Sequence, residues 1–189
     1  PEILGPLRQR YASKAKEWGI EGAAVPVQIH TPYGFFNEYK EKGIPTDYPF
    51  SINPGELGPE DWNIAFELHQ TDPVAIFTER VVLTVLETHG KSFGIDDILA
   101  VIRADTKEVP SVRNAAENRF LSVKSWGVFS PEATRVRDLA KPGVVSIIDL
   151  SPYVTLPNGW RIKSLVLGIV AQKLFVERMI SRRYEEFGS

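Results

Sequence analysis

Val144-Val145-Ser146-Ile147-Ile148-Asp149-Leu150 is followed, across a Pro- and Gly-bearing loop at 152–159, by a long run from Trp160 to Tyr184. The first stretch is a short, near-continuous apolar run launched by the turn Lys141-Pro142-Gly143. Such a run predicts a strand covered on both faces, as in a parallel sheet. The second stretch predicts a long helix. Its middle, Leu165 to Ala171, is apolar nearly all round, which predicts burial between layers; its end, Glu177 to Glu186, is strongly charged. A buried strand feeding a buried helix is half of a βαβ unit. No returning strand is visible before Ser189, and the chain opens on Pro1 rather than Met. The expectation is an internal segment of a larger α/β domain, or a chain that takes its missing sheet from a partner. The alternative is a small helical domain with a two- or three-stranded sheet.

A second strand is read at Val25 to His30, with Val25, Val27 and Ile29 on one face and Pro26 placing it at a strand start or a sheet edge. A helix leads into it. Leu7, Tyr11, Ala15 and Trp18 are spaced four, four and three apart, on one helical face, and Gly19 closes the turn. Thr31-Pro32-Tyr33-Gly34 reads as a turn. Residues 35–58 read as a long aromatic loop, with a short helix at Asn37 to Lys42 and a strand-like phrase at Phe50 to Pro54. Helical signals then run from Pro59 to Ser125. Starts at Pro59-Glu60-Asp61, Thr71-Asp72-Pro73, Ile95-Asp96-Asp97 and Val109-Pro110-Ser111 each place a cap, a proline or acids in the first turn. The predicted fold class is helix-rich α/β, a few-stranded parallel sheet interrupted by a helical insertion. Residues 1–58 form the first part of the α/β core, 59–140 the insertion, and 141–189 the core strand and last helix.

Composition narrows the chemistry. The chain has 189 residues, 43% apolar and 24% charged, with a net charge of −2. Such a balance gives no general attraction to nucleic acid, leaving only local basic patches. With no Cys, disulfides, thiolate metal sites and cysteine nucleophiles are excluded. His30, His69 and His89 do not pair at metal-ligand spacing, and no G-x-S-x-G elbow occurs. The longest uncharged stretch of the last helix, Ser164 to Gln172, is nine residues, far short of a membrane span.

Several motifs carry two readings. Gly90-Lys91-Ser92 matches the tail of a phosphate-binding P-loop, but Val85 stands at the first glycine position and a helix precedes it. Gly90 as a helix end and Ser92 as the next cap explain the same residues. Asp149 ends an apolar strand, as does the Mg²⁺-holding Asp of nucleotide hydrolases, but Leu150 follows instead of a second acid. A turn cap for Ser151 is its other reading. Asp96-Asp97 and Glu185-Glu186 are adjacent on helices and diverge by about 100°, so neither is an acid/base pair. Arg113, Arg119 and Lys124 cluster on one helix, and Arg178, Arg182 and Arg183 on the last. Each cluster is interleaved with Glu. They read as a salt-bridged surface, or as a subunit or nucleic-acid interface. Phe35, Phe36, Tyr39, Tyr48 and Phe50 offer a docking surface if the chain is a stand-alone interaction module.

The order of short phrases resembles HerA/FtsK-type archaeal P-loop ATPases, hexameric DNA translocases of the RecA-like fold. The phrases are Lys16-Glu-Trp-Gly-Ile20, Gly43-Ile-Pro-Thr-Asp47, Phe50-Ser-Ile-Asn-Pro54, Gly58-Pro-Glu-Asp-Trp62, Gly94-Ile-Asp-Asp-Ile98, Asn118-Arg-Phe120, Ser125-Trp-Gly-Val-Phe-Ser130, Pro142-Gly143 with Val144 to Ser151, and Gly159-Trp-Arg-Ile-Lys163 with the helix through Arg182. The resemblance implies the middle stretch of such a domain, without its Walker A loop, its Walker B Asp-Glu pair or its trans-acting arginine. It implies a cytoplasmic homo-oligomer, a hexamer in that family, with DNA as partner. ATP and Mg²⁺ are implied for the family's full-length core, while no cofactor and no catalytic residue is expected in this segment.

Overall fold

The computed structural model describes Gly19, residues 26–156 and residues 159–187. The predicted helix before Gly19 lies outside them. Three strands, β1 (Val27–Pro32), β2 (Tyr48–Phe50) and β3 (Val145–Ile148), form one parallel sheet in the order β2-β1-β3. The fold is helix-rich α/β, as the periodicity predicts. Seven α-helices stand among the described residues: α1 (Tyr33–Glu41), α2 (Pro59–Ala65), α3 (Pro73–His89), α4 (Ile95–Ala104), α5 (Pro110–Lys124), α6 (Val136–Leu139) and α7 (Gly159–Phe187).

Parallel strands need long crossovers. The first, from β1 to β2, runs through α1. Thr31-Pro32-Tyr33-Gly34 is therefore not a turn: β1 passes straight into α1, with Pro32 extended (φ −50°, ψ 135°) immediately before the first helical residue. The expected aromatic loop holds two regular elements, α1 and β2. β2 is short and contains Pro49, which masked its strand pattern in the sequence. Asp47 fixes its approach. Its carboxylate accepts from the Ile29 amide (2.8 Å) while its own amide donates to the Ile29 carbonyl (2.9 Å).

The second crossover, from β2 to β3, is the helical insertion. α2 and α4 begin alike. Asp61 Oδ2 accepts from the Gly58 amide and Asp97 Oδ2 from the Gly94 amide, each at 2.8 Å, which satisfies donors that a helix start leaves open. α3 starts at Pro73 and ends before Gly90, whose φ of +63° only glycine adopts without strain. Its buried stripe is Ala75, Phe77, Thr78, Val81, Val82 and Val85. Ile76 is exposed on the outer side of that helix, and His69 is exposed beyond the end of α2.

The core is aromatic at its centre. Trp62, fully buried, lies 5.2 Å from Phe120 and 5.4 Å from Phe129 between ring centroids; Phe66 meets Phe120 edge-on at 5.1 Å. Such pairings add to the area they bury. The segment after α5 fastens this core to the sheet. Gly34 donates to the Gly127 carbonyl (2.7 Å), Ile52 to Val128 (2.8 Å) and Thr134 to Ser51 (2.9 Å). A Cβ on Gly34 would come within 2.7 Å of the Gly127 Cα, so that contact requires a glycine.

Two expectations about burial fail, for one reason. β3 was expected to be covered on both faces, but Val145 and Ile147 are 48% and 40% exposed. The middle of α7 was expected to be buried all round. Within that stretch only Val166 and Val170 are buried, and Leu167 and Gly168 are exposed. An apolar run shows that a segment is suited to burial; the described chain supplies a layer on one side of each element only.

Candidate interaction surface

β3 is paired on one side only among the described residues, with β1. No described residue pairs with its other backbone edge, and α7 follows β3 through a short 3₁₀ turn, Ser151–Val154. Ile162, Val166 and Val170 recur every four residues and hold α7 against the core. Lys173 Nζ adds an ion pair to Glu56 at 2.5 Å. Away from that stripe α7 carries Trp160, Leu167, Phe175 and Met179, all exposed. Beyond Lys173 every residue of α7 described for burial is exposed, with Val176 and Glu177 still lining a cleft with Glu56, Lys91 and Val136. An open strand edge beside an unpartnered apolar helix face is the arrangement that a further strand or another chain covers.

Between α2 and α7 lies a mainly apolar cleft of about 510 Å³, lined by Ile64, Ala65, Trp160, Leu165, Gly168 and Ile169 among others. Arg161 pairs with Glu67 at 2.7 Å on its rim. Ile64 and Trp160 are 72% and 76% exposed there. Sequence reading placed Trp160 only at a helix start and gave Ile64 no role, because their neighbourhood joins residues about a hundred positions apart.

The predicted site residues fall elsewhere. Gly90 ends α3. The Lys91 carbonyl accepts from Asn53 Nδ2 (2.7 Å) and packs against Gly55, so this backbone presents an oxygen where a phosphate needs N–H groups. The Ser92 amide turns back on the His89 carbonyl at 3.5 Å. Lys91 lines a smaller cleft with Lys173 and three carboxylates, Glu56, Asp61 and Glu177. These residues do not fit a nucleotide phosphate. Asp149 Oδ1 accepts from the Ser151 amide (2.8 Å), the turn-cap geometry. Among the described residues no group of three or more His, Asp or Glu side chains stands ready to hold a metal.

The basic cluster on α5 turns inward on the insertion. Arg113 donates to the Asp105 carbonyl (2.8 Å), Arg119 reaches the Ala115 carbonyl of its own helix (3.4 Å), and Lys124 grips both Asp96 oxygens (2.6 and 2.9 Å). Arg178, Arg182 and Arg183 are exposed on the last part of α7. The five aromatic residues do not make one surface. Phe50 is in the core, Phe35 packs edge-on against Tyr153, and the Tyr39 hydroxyl bonds Ser151 Oγ (3.0 Å), while Tyr48 stacks on His30.

Perturbed protonation accompanies structural roles. Burial holds His30 below the ordinary imidazole range, and the nearby Lys141 charge adds to it. Burial likewise pushes the Tyr153 phenol up; its hydroxyl donates to the Trp126 carbonyl at 3.0 Å. Backbone donation from Glu108, with further help from Lys107 and Arg80, holds Asp105 down. No helix among the described residues is long and apolar enough to cross a membrane. Scans against protein-family models, curated proteins and solved structures find no match to this chain.

Proposed function

We propose that this chain is the middle stretch of a HerA/FtsK-type P-loop ATPase core, supplying scaffold and subunit- or DNA-contact surface to a cytoplasmic DNA translocase. The observation that carries the reading is the β3–α7 unit, whose second strand edge no described residue pairs and whose helix leaves apolar side chains exposed. The order of phrases from Lys16 to Arg182 supports it. On this reading a strand from the remainder of the core pairs with β3 beneath the outer side of α7. Nucleotide and Mg²⁺ are held by that remainder, since neither Gly90-Lys91-Ser92 nor Asp149 is built for them. The exposed Arg178, Arg182 and Arg183 face a neighbouring subunit of the homo-oligomer or the DNA.

The test compares this chain with a version extended by the flanking residues its gene encodes. The extended protein hydrolyses ATP and this chain shows no turnover above background. Turnover by this chain alone, abolished by Lys91→Ala, overturns the reading. A gene whose flanks encode neither a G-x-x-x-x-G-K-[ST] loop before Pro1 nor a strand ending in Asp-Glu after Ser189 does so too. A second reading, a stand-alone helical protein-interaction module, draws on the closed core of the insertion and the cleft at Ile64 and Trp160. It requires a cooperatively folding monomer with a specific partner.

A further inference from the structure

α7 carries two rows of side chains. Ile162, Val166 and Val170 are buried and hold it to the core. The second row is Trp160, Ser164, Leu167, Ala171, Leu174 and Arg178, spaced four, three, four, three and four apart. At about 100° per residue it is centred about 120° round the helix from the first. All six are exposed, Trp160, Leu167 and Leu174 at 76%, 56% and 37%. Alternate steps of four and three make the seam along which one helix packs lengthwise on another. Exposed apolar residues gathered in one such row, rather than scattered singly, mark a contact surface.

The seam is complementary to itself in one orientation. Large and small residues alternate along its middle, Ser164, Leu167, Ala171 and Leu174. Against a parallel copy in register, small residues would face small ones and leave voids, and Arg178 would face Arg178. Against an antiparallel copy, with the two-fold axis at Ile169, every small residue faces a large one. Ser164 meets Leu174, Leu167 meets Ala171, and Trp160 meets Arg178, a ring beside a guanidinium. Charge agrees with shape. Lys163 Nζ lies 5.6 Å from the Trp160 ring centre, at the margin of the seam. Glu177 is exposed on the same flank. In the antiparallel pair Lys163 comes within about two residues of rise of the second copy's Glu177, and symmetry makes the contact twice. The seam belongs to α7 alone, so its test is independent of the proposed ATPase role.

We propose that two copies of this chain associate through α7, antiparallel, with Leu167 of each on Ala171 of the other. The six layers span about 27 Å, a small contact of the transient class, for which a dissociation constant of about 10⁻⁵ M is expected. In sedimentation equilibrium the full chain is expected to pass from 21.2 kDa toward twice that mass between about 1 and 200 µM. Leu167→Glu, at an exposed position that leaves the monomer fold intact, is expected to weaken association at least about thirtyfold. Lys163→Glu is expected to weaken it at least about fivefold, and adding Glu177→Lys to restore it to within about twofold of the parent. A monomer throughout overturns the proposal. So does a dimer indifferent to Leu167→Glu, or a charge exchange that restores nothing, because the association then uses another surface. Orientation is read by crosslinking, which the absence of Cys makes unambiguous. Ser164→Cys and Leu174→Cys chains, one isotopically labelled, are mixed and treated with a short bismaleimide. The 164–174 link is expected at least about fivefold faster than 164–164, whose ends stand about 15 Å apart along the pair. Equal rates, or a faster 164–164 link, overturn the antiparallel pairing and the proposal with it.

Discussion

In the helical insertion Trp62, Ile98, Ile102 and Phe120 are buried completely, whereas on the sheet and α7 Val145, Ile147, Leu167 and Phe175 are 48%, 40%, 56% and 65% exposed. The two regions are built from the same kinds of residue. α3, α4 and α5 turn their apolar stripes toward one another and toward Trp62, while among the described residues β3 and α7 each meet a neighbour on one side only. Full burial of one such side chain is worth about 1.5–3 kcal/mol. Four left substantially in solvent therefore forgo several kcal/mol, a large share of the ~5–15 kcal/mol that holds a domain together. The insertion is closed in itself; the sheet and α7 leave apolar side chains in solvent.

Truncation tests the contrast most severely. Phe120→Ala, which empties the space between Trp62 and Phe66, is expected to cost about 3–5 kcal/mol in urea denaturation, against about 0.5 kcal/mol or less for Leu167→Ala. Comparable losses at the two positions would mean that the outer side of α7 is already covered. Glycines sharpen the same comparison. A methyl group on Gly55 would overlap the Lys91 carbonyl, so Gly55→Ala is expected to lower stability by about 1–3 kcal/mol. Gly168, on α7, has no atom within 4 Å of the corresponding position. Gly168→Ala is expected to raise stability by about 0.5–1 kcal/mol through helix propensity alone, measured by thermal unfolding. A loss there would reveal a close neighbour on α7.

The smallest expected effect is on pH dependence, where the sheet's inner face meets the core. His30 is buried, and its folded pKa lies below the 6.5 of the free side chain. The unfolded chain therefore takes up a proton before the folded one does. Stability is full above about pH 6.5 and falls as the pH drops through 6.5 toward the folded value. Urea midpoints measured from pH 7.5 to 5 should fall less in His30→Gln than in the parent. An equal fall in both would place the acid sensitivity elsewhere.

The insertion was legible because its signals are local. Pro73, Gly90 and Pro110 mark helix ends by their own backbone chemistry, and α4 and α5 lie where the 3.6-residue period puts them. β2 was not legible as a regular strand. Three residues containing Pro49 show no alternation, and only pairing with β1 makes them a strand. Gly90 as a helix end and Asp149 as a turn cap were legible for the same local reason, whereas Ser92 is not the next cap: Gly94 takes that place, its amide held by Asp97. The cleft at Ile64 and Trp160 was not, because its walls come from two helices far apart in the chain.

By itself the amino-acid order determined the helix-rich α/β class, the helix ends, and the apolar character of β3 and α7. These follow from φ/ψ preference and side-chain periodicity, which act over one or two turns. Only the tertiary structure decided the strand order β2-β1-β3 and which side of β3 and α7 meets the core. Burial is a property of neighbours, and an apolar run carries no record of how many faces its neighbours reach.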